Sequence, residues 1–227
     1  MLLASRCATA QLIAPKDEAT ADTTVSSPKR PVSAQAESPL SIPVHDFTRN
    51  GYPLEVVRIL AVEYRVVIGV SGTTVGGDNR TINISVQNGT FVNALDAITR
   101  ADPRLKWHVT KNGTVHFETG APLSLMNIRV RTFDVDNPPE NWDAFEGLDK
   151  SPAVRTWFRN AGCRSQEHVS AGGVGPTLWR NFSVHEKNLP VSSILDELAA
   201  RSHSYYWSII KEVNKVCGIE MSMDPQP

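Results

Sequence analysis

An internal repeat constrains the architecture of this chain more than any single motif does. Residues 88–107 read NGTFVNALDAITRADPRLKW, and residues 188–207 read NLPVSSILDELAARSHSYYW. The first asparagines, the Leu-Asp pairs and the closing tryptophans align without gaps. Each copy has the pattern of a short strand, a turn, an amphipathic helix and a second strand, so one supersecondary unit is used at least twice.

The polar residues of the repeat have simple structural interpretations. Asp96 and Asp196 each follow an inward-facing leucine, so we expect both carboxylates on the solvent-facing side of a helix. Asn88 and Asn188 follow a strand, where asparagine favours a turn. Upstream, the segment 84–86 aligns with 182–184 only after a two-residue slip. A third copy begins at Phe133, and a fainter one begins at Phe47.

Composition divides the chain into four segments. Residues 1–40 have an apolar start and then a Ser-, Thr- and Pro-rich stretch, which predicts the remnant of an export signal and a disordered leader. We expect the complete signal to begin upstream of Met1. The remaining segments are a first module (41–120), a second, divergent module with an inserted helix and a Gly-rich loop (121–213), and a tail (214–227).

The alternation of short strands and helices predicts an α+β fold. It predicts two related βαββαβ-like modules, each with a small mixed sheet and two helices on one face. Asn112-Gly113 lies between two alternating segments, which is typical of a two-residue type I′ hairpin turn. Farther along, the apolar residues expected to face the core change from even-numbered positions, such as Val130, to odd-numbered ones, such as Phe133. This change predicts a bulge near Arg131-Thr132.

Charge and histidine spacing argue against several functions. A net charge of −1 does not provide the clustered Lys and Arg of a nucleic-acid surface, and no apolar run is long enough to span a bilayer. With a two-residue turn, His108 and His116 project to opposite sides of their hairpin. The segment 172–175 is glycine-rich but lacks the Gly-Lys-Ser/Thr ending of a phosphate loop. We predict no catalytic residue, metal site or cofactor.

Two further groups of residues leave alternatives open. Tyr205, Tyr206 and Trp207 either form part of a protein-binding surface, for which Tyr and Trp are suited, or pack in the core and over a sheet edge. Cys163 and Cys217 either form one disulfide in an oxidising compartment or remain two thiols.

The segment from Val44 to Phe117 resembles the short N-terminal domain shared by secretins and TonB-dependent receptors. The resemblance rests on a Tyr-Pro-Leu helix start at 52–54, the strand and turn INISVQNGT at 82–90, the helix motif ALDAI at 94–98 and the closing Asn-Gly turn. The second module resembles this domain only through the internal repeat.

The resemblance implies a βαββαβ module of the Gram-negative cell envelope without catalytic residues. We therefore expect a periplasmic or secreted, non-enzymatic interaction module in secretion or signalling, which binds an envelope protein, for example by strand addition. The alternative is an enzyme or small-ligand binder with a pocket in segment 138–178.

Overall fold

Nine strands and four helices make up the described part of the chain. The computed structural model describes residues 38–74, 80–138, 147–148, 150–161, 182–212 and 219–222, all within the unit Ala36–Pro227. This content confirms the α+β class. The strands are β1 (Pro43–Gly51), β2 (Ile68–Thr74), β3 (Ile82–Thr90), β4 (Leu105–Val109), β5 (Val115–Thr119), β6 (Arg129–Asp136), β7 (Ser183–Pro190), β8 (Tyr206–Glu212) and β9 (Ile219–Ser222). The helices are α1 (Pro53–Tyr64), α2 (Phe91–Ala101), α3 (Pro152–Asn160) and α4 (Val191–Arg201).

Helix boundaries follow local sequence signals. Helix α1 begins at Pro53, which suits a first helical turn, and Arg65 ends it in the left-handed conformation. Helix α2 begins with a capping box in which Thr90 and Asn93 exchange side-chain and backbone hydrogen bonds. The apolar stripe of α2 is buried as its spacing predicts.

The prediction of a separate mixed sheet in each module is wrong. One five-stranded sheet has the order β4-β5-β2-β8-β9, so both modules contribute strands to it. Strand β2 pairs in parallel with β5 on one side and with β8 on the other. Its Ile68 and Val70 are fully buried, and a buried strand needs hydrogen-bond partners along both edges. The module boundary near residue 120 stays a prediction, while β9 lies in the segment predicted as a tail.

Helices cover both faces of the shared sheet. Along β8, Tyr206 and Ile210 pack in the core that contains α1 and α2, whereas Trp207 and Ile209 pack in the core that contains α3 and α4. The remaining strands form two antiparallel pairs, β1–β3 and β6–β7. The prediction that each module's two helices lie on one face therefore holds: α1 and α2 pack in the core on one face of the shared sheet, and α3 and α4 pack in the core on the opposite face.

The two copies correspond without a slip in their strands. Asn88 and Asn188 both have a left-handed backbone, with φ of 50° and 54°. Each copy also anchors its helix in the same way: the Phe91 and Val191 N–H groups each donate to a carbonyl oxygen, 2.9 Å away, at the start of the preceding strand pair. The predicted two-residue slip is therefore wrong, because one offset of a hundred residues relates β3-α2-β4 to β7-α4-β8.

The predicted bulge near Arg131-Thr132 is also absent from β6. The register between β6 and β7 is the same before and after this point, so no extra residue is inserted. Asn188 lies across from Arg131 and has a left-handed backbone. The irregular residue at this point therefore belongs to β7, and β6 contains no inserted residue.

The β4–β5 hairpin has a longer turn than its sequence predicts. Gly113 N–H donates to the Thr110 carbonyl at 3.0 Å, and Thr110 N–H donates to the Thr114 carbonyl at 2.8 Å. Gly113 alone in this turn has a positive φ, 84°. These features define a three-residue loop with glycine in the left-handed position. The type I′ prediction is wrong, and the register moves by one residue.

This turn predicts unequal effects at its two central residues. Gly113→Ala should lower the free energy of unfolding by about 1 kcal/mol, because an L-residue is strained at this φ. A methyl group at Gly113 meets no atom within 4 Å, so backbone strain is the whole effect. Asn112→Ala should be close to neutral, since Asn112 is not left-handed here. Urea unfolding of both variants checks this, and equal losses would contradict the three-residue turn.

Candidate functional site

Four residues form a row across the shared sheet. His108 pairs with His116, His116 with Gly69, and Gly69 with Trp207. The ring centroids of His108 and His116 lie 5.8 Å apart. The prediction that these imidazoles project to opposite sides is therefore wrong, because the longer turn pairs them directly.

Gly69 allows the Trp207 indole to reach the neighbouring module. A Cβ atom at Gly69 would lie 2.2 Å from Cζ2 of Trp207, so the indole occupies the space of the missing side chain. The Trp207 and His116 rings consequently meet edge-on, with centroids 5.2 Å apart.

Asp196 of α4 contacts both of these rings. Its Oδ1 accepts a hydrogen bond from Trp207 Nε1 at 2.8 Å, and His116 Nε2 lies 2.9 and 3.1 Å from the two carboxylate oxygens. A carboxylate accepts, so a neutral His116 donates from Nε2 and keeps Nδ1 as an acceptor. Asp196 is only 8% exposed. The prediction that it lies on a solvated helix face is wrong.

The first copy contains the same tryptophan–aspartate contact without the histidine. Trp107 Nε1 donates to Oδ1 of Asp96 at 3.0 Å, and Asp96 is half-buried. The recurrence of both residue types at fixed spacing is the sequence signal for this contact. The second copy differs because β5 of the first module brings His116 to Asp196.

A cleft of about 450 Å³ opens beside this network. Its walls are the β4–β5 hairpin, β2, the first turn of α4 and the 3₁₀ turn Ser124–Asn127. Polar residues of the cleft include His108, His116, Ser71, Glu118 and Asp196. This size and this convergence of polar groups suit a small molecule. The sequence does not reveal the cleft, since its walls come from both modules.

The predicted aromatic interaction patch is mostly interior. Tyr206 and Trp207 are 3% and 1% exposed, because they fill the cores on opposite faces of the sheet. They cannot form a protein-binding surface in this fold, and that prediction is corrected. Tyr205 is half-buried, and its hydroxyl lies 2.9 Å from His203 Nδ1.

Other predicted features lie outside the described residues. These are Cys163, Cys217, the glycine-rich segment 172–175, most of the leader 1–40 and most of segment 138–178. Within the described ranges, no three side chains gather as a metal site would require. The described helices are all too short or too polar to cross a bilayer.

Comparisons with known proteins do not assign this chain to a family. No family model, no curated protein and no solved structure matches it. The resemblance to secretins and TonB-dependent receptors therefore stays a prediction.

Proposed function

We propose that this chain is a non-enzymatic protein–protein interaction module of the cell envelope that binds a partner strand along β4. The observation that carries the proposal is the position of β4 at the end of the five-stranded sheet, where β5 is its one described neighbour. A free sheet edge is a template for an extended segment of another chain. The envelope location is supported by the sequence resemblance over Val44 to Phe117.

The hydrogen bond between Thr110 and Thr114 determines which backbone groups of β4 face outward. Hydrogen-bonded and non-hydrogen-bonded pairs alternate along an antiparallel ladder. His108 therefore bonds toward β5, whereas the N–H and C=O groups of Trp107 and Val109 point away from it. Val109 is also a large apolar residue that is exposed, at 37%. A partner strand finds both hydrogen-bonding groups and apolar contact here.

The two faces of β4 favour an alternating partner sequence. Lys106 and His108 are exposed on the cleft side, while Trp107 and Val109 lie on the other side. Cross-strand neighbours are stabilised by opposite charge or by apolar contact. We expect apolar partner residues beside Trp107 and Val109, and acidic or polar ones beside Lys106 and His108.

A proline substitution tests the edge directly. Val109→Pro removes one outward N–H donor but no hydrogen bond of the β4–β5 ladder, and proline is tolerated in edge strands. We expect wild-type protein to capture a partner from envelope fractions. Val109→Pro should capture at least tenfold less of this partner. Val109→Thr keeps the donor and the side-chain shape, so it should retain the partner.

Two outcomes would overturn this function. Wild-type protein that captures no envelope partner would remove the interaction itself. A partner that binds Val109→Pro as well as Val109→Thr would show that β4 is not the binding edge. Circular dichroism of each variant verifies that the fold is kept.

A further inference from the structure

We infer that His108 and His116 form a two-histidine site for a divalent transition-metal ion of the zinc, nickel and copper group. The two residues are directly paired across the β4–β5 hairpin, and both line the cleft. A two-residue turn would place them on opposite faces, whereas the three-residue loop brings them to the same face. The inference does not depend on strand addition at β4, which uses backbone groups on the outer edge of that strand.

The two imidazoles are separated by nearly the distance that one shared ion requires. Their ring centroids lie 5.8 Å apart, and the ring planes are inclined at 68°. Zn–N bonds are about 2.0–2.1 Å long, so two imidazoles on one tetrahedral ion have centroids roughly 5 Å apart. His108 is exposed and has no hydrogen-bond or ion-pair partner within the described residues. Rotation of its side chain can therefore close the remaining gap of less than about 1 Å.

Asp196 prepares His116 as a metal ligand. His116 Nε2 lies 2.9 and 3.1 Å from the two carboxylate oxygens, so the proton of a neutral His116 is on Nε2 and Nδ1 has a free lone pair. In the described part of the chain, Nδ1 has no hydrogen-bond partner and is not a buried atom, so solvent reaches it from the cleft. A carboxylate behind a ligating histidine fixes the tautomer and ring orientation and makes the imidazole more basic.

The type and number of ligands determine the class of ion. Imidazole nitrogen suits zinc, copper and nickel, whereas Mg²⁺ and Ca²⁺ prefer oxygen ligands. Among the described residues, no third histidine, cysteine or carboxylate side chain completes the site, so water or a small molecule in the cleft occupies the other positions. We therefore expect weaker binding than at a closed four-ligand zinc site, with Cu²⁺ bound most tightly.

The charges around the pair nearly cancel. Among the described residues that line the cleft, Asp196 and Glu118 are acidic and Lys111 is basic. Lys106 lies opposite Glu118 in the β4–β5 pairing. A general attraction of cations to this surface is therefore small, and the affinity must come from the two imidazole nitrogens. Removal of one of them should have a large effect.

Calorimetric titration of the untagged full chain with Cu²⁺, Ni²⁺, Zn²⁺ and Mg²⁺ tests the inference. We expect the three transition-metal ions to bind and Mg²⁺ not to bind. His108→Ala removes one ligand at an exposed position, so the protein should stay folded while its affinity for Ni²⁺ falls at least tenfold. Electron paramagnetic resonance of bound Cu²⁺ should show two nitrogen ligands in the wild-type protein and one in His108→Ala.

His185→Ala is the matched control for His108→Ala. His185 is also an exposed strand histidine, but its two nitrogens lie 3.1 and 3.2 Å from carboxylate oxygens of Asp134 and Asp136. Both nitrogens are therefore occupied, and His185→Ala should leave the Ni²⁺ affinity unchanged.

Asp196→Asn tests the carboxylate without removing a ligand. The asparagine oxygen can still accept from Trp207 Nε1, while the amide nitrogen replaces Oδ2, which lies 3.1 Å from His116 Nε2. This amide donates to Nε2, so the imidazole proton moves to Nδ1 and the lone pair that the ion needs is lost. The Ni²⁺ affinity should fall at least tenfold. Urea unfolding verifies that each variant is folded.

Four results would overturn the inference. The first is absence of binding by all three transition-metal ions at millimolar concentration. The second is an unchanged affinity in His108→Ala, which would place the ion elsewhere, for example on cysteine thiols. The third is a loss in His185→Ala as large as in His108→Ala. The fourth is an unchanged affinity in Asp196→Asn, which would mean that His116 Nδ1 is not a ligand.

Discussion

Replacing Asp196 with alanine should lower the free energy of unfolding by about 4 kcal/mol, the largest effect we expect from a polar residue in the part of the chain that the structure describes. The substitution leaves two donors, Trp207 Nε1 and His116 Nε2, without their acceptor in a buried site. Each buried donor that loses its partner costs roughly 1–3 kcal/mol. Because His116 belongs to β5 and Asp196 to α4, the loss also weakens the contact between the modules.

The repeat supplies a matched control for this experiment. Asp96→Ala removes the same residue type at the same repeat position, but Asp96 is half-buried and accepts from Trp107 alone. We expect a loss of about 1 kcal/mol there. Equilibrium urea unfolding measures both values. Equal losses for Asp96→Ala and Asp196→Ala would contradict the argument that burial and the second donor distinguish the two copies.

Local patterns predict the elements of this fold well because each element is determined by residues near in sequence. Pro53 starts α1, the Asn88 and Asn188 turns precede α2 and α4, and the helical stripes are buried as their spacing requires. The alignment of the two copies also holds in the structure. None of these features depends on how the modules meet.

Register is where a local pattern failed. An Asn-Gly pair suits both a two-residue turn and a three-residue loop, and these differ by one residue in pairing. Since side chains alternate in a strand, one residue decides whether His108 and His116 share a face. The hydrophobic pattern of β4 is too short to choose between them. The candidate site therefore depends on a detail that the turn residues alone do not determine.

The cleft depends on contacts between distant residues. His116 and Asp196 are separated by 80 positions, and they meet because β2 joins β5 to β8 in one sheet. A repeat suggests two similar units with separate sheets, so it conceals this shared strand. One contact of the network could have been predicted from the sequence. The recurrence of Asp96 with Trp107 and of Asp196 with Trp207 indicates that each aspartate contacts its tryptophan.

Gly69→Ala should be strongly destabilising, because the Trp207 indole occupies the space of the missing side chain. The new Cβ would lie 2.2 Å from Cζ2 and 2.4 Å from Cε2 of Trp207, so the indole must move. Movement of the indole also lengthens its hydrogen bond to Asp196. Overpacking of this kind costs about 3 kcal/mol in a well-packed core, and urea unfolding measures it.

A double-mutant cycle with Trp207→Leu isolates the cause of this effect. Trp207→Leu alone is destabilising, because it removes a buried ring and its hydrogen bond. With the indole absent, however, the methyl group at Gly69 has room, so adding Gly69→Ala should change the stability by less than about 1 kcal/mol. Gly51→Ala is the control, since its Cβ would meet first the flexible end of Glu55 at 3.1 Å, and it should be nearly neutral. Additive losses in the cycle would mean that Gly69 is required by the backbone of β2, and that the indole could reach His116 without it.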